Sequence, residues 1–353
     1  MIATKPQPQE IANTEIRDAD LIDELERHRH TIGFTAMQNE MRRRQYERNA
    51  EANYLATLTK AQRKRFVASQ LLDAEGANPD NLRHIHSVLA ICSLPYRKQP
   101  IETREFERRQ GRMSLVVEAG KLLSPTGERI AQPLPYGSRA RLLLLHLCSE
   151  AIRQKSPTIH IEDSLTAFIR SIGFTVTGGK NGTLTSFKQQ INALAACRMS
   201  IGVWNGTRAK TINAQPFSEI NVWLPANPDQ RMLWPSTITF SQDFYNTLTQ
   251  HALPVNMHAV KHFANSPRKL DLLFWIGYRL NAARKTLHIS WKSLQEQFGG
   301  NFTRNRDFRE YFAKDIAHLR EVFPNLPLTL DELGLEIKPA NSEVLAIPKR
   351  SKK

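Results

Sequence analysis

The chain has 353 residues, 41% hydrophobic and 24% charged, with a formal net charge of +15 at pH 7. That length carries two or three domains, each able to bury its own core, and no uninterrupted apolar run approaches the roughly 20 residues that span a bilayer. Membrane insertion is not expected, the first ten residues lack the layout of a secretory signal, and the expected location is the cytoplasm.

The positive balance favours a polyanionic partner, without by itself separating DNA from RNA or an acidic membrane. The excess is spread along the chain and is largest at the C-terminal end. Cys92, Cys148 and Cys197 stand alone among apolar neighbours, without the close Cys-x-x-Cys pairing of a zinc site, and are read as buried thiols. No metal or cofactor is expected.

Residues 11 to 67 are rich in Glu, Arg, Ala and Gln with few large apolar side chains, which suits exposed helices around a break at Gly33, or partial disorder. From Pro79 to Leu94, Leu82, Ile85, Val88, Leu89 and Cys92 recur at spacings of three and four and predict a short amphipathic helix ending before Pro95. Arg104 to Arg112 is a basic run, and Met113 to Val117 has the β-branched character of a strand.

A first compact unit then reads helix, short strand, helix, turn, helix, strand, strand. Ser138 to Lys155 is too apolar around its circumference for a surface helix and is predicted as the buried first helix. Thr158 to Ile161 is a brief strand, Asp163 caps a helix through Ser171, and Gly173 ends it. After the turn Thr177 to Gly182 a third helix runs to about Cys197, with Leu184, Phe187, Ile191 and Leu194 inward and a polar, nearly uncharged face outward. Met199 to Trp204 and Glu219 to Leu224 read as strands joined by a wing-like loop holding Arg208 and Lys210.

After a helical segment from Ser241 to His251, a second unit repeats the order. Ser266 and Pro267 start a helix to Asn281, Leu287 to Ile289 is a strand, and Ser290 caps a helix through Phe298. Gly299 and Gly300 make the turn, and the third helix runs from about Thr303 to Phe323 with Phe308, Phe312, Ile316, Leu319 and Phe323 inward. Arg306, Arg309, Ala313, Ala317 and Arg320 fall on the opposite face, and two strand-like runs around Gly334 make a wing.

Three helices with a tight turn before the last, followed by strands, is the helix-turn-helix of winged-helix domains, whose third helix lies in a major groove. The expected fold is α+β, mainly helical, with tandem winged helices behind a helical N-terminal extension. The expected segments are an extension over 1–78, a first winged-helix domain with its preceding helix and strand over 79–255, a second over 256–340, and a basic flexible tail over 341–353.

In the second unit Thr303, Arg304, Asn305, Arg306 and Arg309 stand at the start of the third helix, where side chains reach base edges and phosphates. Lys292 and Lys314 are further phosphate candidates. The plain alternative is a solvated face in which Asp307, Glu310 and Asp315 pair with the arginines. In the first unit Thr185, Ser186, Gln189 and Asn192 are candidate base readers, with Lys180, Asn181 and Lys188 for phosphates and Arg208 and Lys210 on the wing. The same face also suits a protein interface.

A His-apolar-His metal element at His84 and His86, with Tyr311 and Lys314 as a nicking pair, is disfavoured. Helical spacing would put the two imidazoles about 200° apart, and Tyr311 falls near the inward stripe. Gly178 to Thr183 lacks the Gly-Lys-Ser/Thr ending of a phosphate loop and reads as a turn. No array of exposed aromatics suggests single-stranded RNA.

Several passages carry a resemblance. They are His86 to Arg97 (HSVLAICSLPYR), Leu134 to Leu144 (LPYGSRARLLL), Phe168 to Phe174 (FIRSIGF), Thr177 to Gly179, Ile289 to Leu294 (ISWKSL) and Gln297 to Gly299. Over about residues 80 to 340 the chain resembles the plasmid-encoded RepA family of replication initiators. The resemblance implies a non-enzymatic protein that binds repeated double-stranded sites, iterons, at a plasmid origin, helps open the duplex, and recruits the host replication initiator and replicative helicase. It also implies a homodimer in equilibrium with monomer, the first winged helix supplying the dimer contacts and the dimer repressing its own promoter. A winged-helix transcriptional repressor without initiator activity is the alternative, and a nicking enzyme a remoter one.

Overall fold

In a computed structural model of the chain, the residues described are 8–75, 77–111, 113–124, 126–160, 164–179, 181–204, 207, 209–220, 237–300 and 302–348. They are α+β and divide into two compact units, Met1–Val67 and Ala68–Lys353. The elements in chain order are α1 (Pro8–Ala12), α2 (Ala19–Arg27), α3 (Phe34–Thr57), α4 (Lys60–Glu75), β1 (Leu82–His86), α5 (Ser87–Ile91), β2 (Glu105–Gln110), β3 (Met113–Glu118), β4 (Lys121–Leu123) and β5 (Arg129–Ala131). They continue with α6 (Gly137–Gln154), β6 (Thr158–His160), α7 (Ser164–Ser171), α8 (Thr183–Ala196), β7 (Arg198–Trp204), β8 (Ala209–Ala214), β9 (Phe217–Ile220), β10 (Thr237–Phe240) and α9 (Gln242–His251). The last are β11 (Ala252–Asn256), α10 (Met257–Phe263), α11 (Pro267–Ala282), β12 (Leu287–Ser290), α12 (Trp291–Phe298), α13 (Asn305–Val322), β13 (Leu328–Leu330) and β14 (Gly334–Ile337).

In the N-terminal unit Gly33 takes a positive φ of 98° and starts α3, at the break expected there. The buried Gln45 of α3 accepts the backbone N–H groups of Arg17 and Asp18 with its Oε1, at 2.9 Å each, which ties the start of α2 to α3. Arg48 reinforces this by binding Asp18 at 2.6 Å and Asp20 at 2.7 Å.

In the second unit one arrangement occurs twice. β1, α5, α6, β6, α7, α8, β9 and β10 are matched in order by β11, α10, α11, β12, α12, α13, β13 and β14. Both three-stranded sheets place the last strand in the middle, β6-β10-β9 and β12-β14-β13. The leading strands of the two repeats pair antiparallel in a register centred on His84 opposite Pro254. Each leading strand ends in a side chain that caps the helix after it. His86 Nδ1 accepts the Val88 N–H, and Asn256 Oδ1 accepts the His258 N–H.

β1 corrects the sequence expectation, which placed one amphipathic helix within Pro79 to Leu94. The helical spacing of Leu82, Ile85, Val88 and Leu89 spans a strand and a five-residue helix, and a partner strand 170 residues away decides the strand. The basic run before Met113 is also a strand, β2, in a four-stranded sheet ordered β2-β3-β7-β8. Its Arg108 is buried, lies 5.2 Å from the Tyr96 ring, and donates to the carbonyl of Gln297 on α12. Trp275 Nε1 of α11 donates to Gln110 Oε1 at 3.1 Å. That strand therefore links the two repeats.

The first helices α6 and α11 carry the core. Leu142, Leu143, Leu144 and Leu145 of α6 are all 1% exposed or less, as the all-round apolar sequence demanded. One contiguous cluster of buried apolar side chains runs from Leu72 to Ile347.

Candidate nucleic-acid interface

α13 owes its position to one stripe. Phe308, Phe312, Ile316 and Leu319 recur at spacings of three and four, and each is 3% exposed or less. At about 1.5–3 kcal/mol for each large apolar side chain, the stripe fixes which face is left outward. Arg306, Arg309, Ala313, Ala317 and Arg320 are on that outward face, all exposed, as the periodicity required.

The acids near this face take some of its cations. Arg304 pairs with Asp307 at 2.8 Å, and Lys314 pairs with Glu310 at 2.6 Å. The Lys314 ammonium holds the Glu310 carboxyl below its ordinary range, and Glu310 in turn raises Lys314. Asp315 is buried and engages Arg268 and Lys269 instead. Among the described residues Arg306 and Arg309 have no acid within ion-pair distance, so two arginines at the start of α13 remain for a partner's charge.

Arg309 is also held in place. Its guanidinium lies 5.2 Å from the centroid of the Trp291 ring. Trp291 is fixed in turn, because its Nε1 donates to the Asp331 carbonyl at 3.0 Å and its ring meets Phe312 edge-on at 5.9 Å. The sequence reading missed Trp291. The available signal was a tryptophan directly after the capping Ser290, facing the basic helix across the turn. Thr303 and Lys292 are exposed, whereas Asn305 uses its Oδ1 to accept Gln295 Nε2 at 2.7 Å and so braces the turn between α12 and α13.

The first repeat's third helix, α8, is different. Leu184 is half-buried and Phe187, Ile191 and Leu194 are buried, so the outward face is the predicted one. Thr185 donates its hydroxyl to the Gly179 carbonyl at 2.6 Å, and Ser186 donates to Thr183 at 2.8 Å. Both hydroxyls therefore serve the helix start, where the Thr177 hydroxyl also accepts the Thr183 N–H. Gln189 and Asn181 are exposed, Asn192 is half-buried, and partial burial lowers the pKa of Lys188. Lys180, Arg208 and Asp163 lie outside the described residues.

The wing expected in the first repeat changes. β7 pairs directly with β8, Met199 opposite Ala214, so Lys210 belongs to this hairpin and not to a loop leading to residue 219. By strand order, β9 and β10 of the first repeat correspond to β13 and β14 of the second. Residues 221–236, between β9 and β10, lie outside the described residues. In the second repeat β13 and β14 form a hairpin whose tip is Asp331, Glu332 and Leu333.

The disfavoured metal element needs a different argument from the one first given. Because β1 is a strand, His84 and His86 share a face after all. His86, however, spends its Nδ1 on the cap of α5, is 2% exposed and packs 5.2 Å from the Phe244 ring. Among the described residues no three His, Cys, Asp or Glu side chains are gathered to hold a metal. Tyr311, expected near the inward stripe, is 50% exposed, with its ring 5.5 Å from Phe302.

Comparison with known proteins adds a family. Residues 134–293 match the family described as plasmid encoded RepA protein. Over these residues the chain is similar to the plasmid-encoded RepA family. The matched segment runs from Leu134, ahead of α6, to Ser293 in the first turn of α12. It contains every candidate of the first repeat and Lys292 of the second, while α13 lies beyond it. No curated protein matches the chain. Among solved structures, a crystal structure of selenomethionine derivatives of domains 2 and 3 of RctB aligns with a TM-score of 0.43 and 11% identity, covering 72% of this chain and 98% of that one. No helix among the described residues is long and apolar enough to cross a membrane.

Proposed function

We propose that this chain is a plasmid replication initiator of the bacterial cytoplasm that binds repeated double-stranded sites, iterons, at its plasmid's origin. The RepA-family segment supports the initiator role. Two winged-helix domains, about 79–255 and 256–340, are the DNA-binding parts of this reading, between an N-terminal extension and a basic tail. The repeated order of helix, strand, two helices and two strands, with the last strand central in each sheet, supports it.

One observation carries the interface: Arg306 and Arg309 stand exposed at the start of α13, unpaired with acids, while their neighbours are neutralised. In this reading they reach guanine acceptors in the major groove, and Lys292, Thr303, Arg304, Asn305 and Lys314 contact the backbone or the groove edge. Thr185, Ser186, Gln189, Asn192, Lys180, Asn181 and Lys188 would form a weaker contact from α8, helped by Arg208 and Lys210. Binding would promote opening of the duplex and recruitment of the host initiator and replicative helicase, with a homodimer in exchange with monomer and able to repress its own promoter.

The test is binding of purified protein to duplex fragments of its own replicon across a salt series, beside Arg306→Ala and Arg309→Ala. Each variant should lose roughly 1–3 kcal/mol on the cognate fragment and much less on random duplex. Equal binding of wild type and variants to every fragment would reduce the surface to a non-specific basic patch and end this reading.

A further inference from the structure

The charges of the N-terminal unit are divided along the chain. In α2 and α3 most arginines are spent on acids. Arg44 binds Glu24 and Glu40, Arg43 binds Glu40, and Arg48 binds Asp18 and Asp20. Beyond Glu51 the pattern stops. Between Glu51 and Asp73 the sequence has no acidic residue and four cations, Lys60, Arg63, Lys64 and Arg65.

The elbow between α3 and α4 that carries these cations is internally satisfied. Thr59 and Gln62 form a reciprocal cap, with the Thr59 Oγ1 accepting the Gln62 N–H at 3.3 Å and Gln62 Oε1 accepting the Thr59 N–H at 3.0 Å. Arg63 donates to the carbonyls of Leu58 and Ala56, at 3.1 and 3.3 Å, and so closes the end of α3. Tyr54 and Phe66 meet edge-on at 5.3 Å across the bend. The cap and the guanidinium use the N–H groups of Thr59 and Gln62 and the carbonyls of Ala56 and Leu58. What the elbow offers outward is the ammonium groups of Lys60 and Lys64, both on exposed residues and one helical turn, about 6 Å, apart on one face.

We propose that this elbow is a second, sequence-independent contact for the phosphates of duplex DNA, with Lys60 and Lys64 as its reaching groups and Arg63 adding to the local positive potential. The sequence holds no acid between Glu51 and Asp73, and the two exposed ammonium groups with the neighbouring Arg63 form a surface that fits a polyanion. The inference rests on the DNA-binding reading above, which brings duplex to the chain. It adds footprint and affinity on any sequence and contributes no discrimination between sequences.

The experiment compares full-length wild type with Lys60→Gln/Lys64→Gln and with the charge-keeping Lys60→Arg/Lys64→Arg, on random duplex, cognate duplex and a single-stranded oligothymidine, from 50 to 200 mM salt. Glutamine and arginine are helix formers comparable to lysine, and the far-UV helical signal checks that α4 persists. The glutamine variant should lower the salt slope on both duplexes by about 1.8, so that wild type loses about tenfold more affinity than the variant across that range. The arginine variant should keep the wild-type slope, and the cognate-to-random ratio should stay the same in all three proteins. An unchanged slope on duplex overturns the proposal, as does a change confined to the single strand. Failure of the α13 reading shows instead in the cognate-to-random ratio of the Arg306 and Arg309 variants.

Discussion

Arg141 of α6 and Asp271 of α11 form a bidentate ion pair, 2.6 Å from Nε to Oδ1 and 2.8 Å between the outer atoms, with side chains only 3% and 2% exposed. It joins the first helix of one repeat to the first helix of the other. Arg141 also donates to the carbonyls of Leu94 at 2.5 Å, Gly137 at 2.8 Å and Pro95 at 3.2 Å, and sits 5.1 Å from the Tyr96 ring. Asp271→Ala should destabilise the second unit by about 3–5 kcal/mol, because it strands a buried guanidinium. Replacing both partners by apolar residues often restores stability elsewhere, but here it would take the guanidinium from the buried Leu94 carbonyl, while the Pro95 carbonyl keeps the Gly137 N–H. Arg141→Met/Asp271→Leu should therefore remain destabilised, and urea unfolding of the two variants beside wild type measures both effects.

Gly334 opens β14 with a φ of 154°, and a Cβ added there would overlap the Ile289 carbonyl oxygen on β12. The β12–β14 ladder needs this approach, since Gly334 lies opposite Ser290. Gly334→Ala should cost more than about 1 kcal/mol, loosen the β13–β14 hairpin, and release the Asp331 carbonyl from Trp291 Nε1. A lower thermal midpoint together with red-shifted tryptophan fluorescence is the expected result. An unchanged midpoint would mean that the hairpin yields freely.

Buried histidines give the chain an acid limit. Burial, with the nearby His251 as a smaller cause, pulls the pKa of His86 down to about 4, and burial also lowers that of His146, whose ring stacks on Phe168 at 4.3 Å. In the unfolded chain both take up a proton near pH 6.5. Their folded values lie below their unfolded ones, so this stability is complete above about pH 6.5 and is lost as pH falls toward 4. The denaturant midpoint should drop between pH 7.5 and pH 5. His86→Asn keeps a capping side chain like that of Asn256 and should show a shallower drop; equal midpoints for wild type at the two pH values would contradict the assignment.

Legibility in the sequence followed the range of the interaction. α6, α11 and α13 were readable because their apolar side chains repeat within one helix, and the starts of α11 and α12 because Ser266 and Ser290 cap three residues ahead. β1 was not readable, since its hydrogen bonds go to β11 and its apolar spacing imitates a helix across a strand-to-helix junction. β2 was hidden by its arginines. Arg108 is buried beneath Tyr96, and Arg104 spends its guanidinium on the carbonyls of Ile101, Ala119, Gly120 and Gln132, which composition cannot distinguish from a solvated basic run. At the candidate interface the outward face of α13 was legible, but the choice of which arginine meets an acid depends on side-chain rotamers.

That choice leads to the last prediction. Asp307 and Glu310 lie on the exposed half of α13 and neutralise Arg304 and Lys314, leaving Arg306 and Arg309 as the cations not balanced by an acid among the described residues of the helix start. Asp307→Asn/Glu310→Gln removes two negative charges facing the proposed DNA side and releases two cations, while both new side chains remain compatible with a helix. The exposed pairs are worth little to folding, so stability should change by less than about 1 kcal/mol. Duplex affinity should rise, and the slope of binding against salt should steepen by up to about 1.8 if both released cations reach phosphates. The gain should appear on random and cognate duplex alike, because phosphate contacts carry no sequence information. A variant that binds duplex with the wild-type slope would show that Arg304 and Lys314 point away from the nucleic acid, and the contact would then have to be narrowed to Arg306 and Arg309.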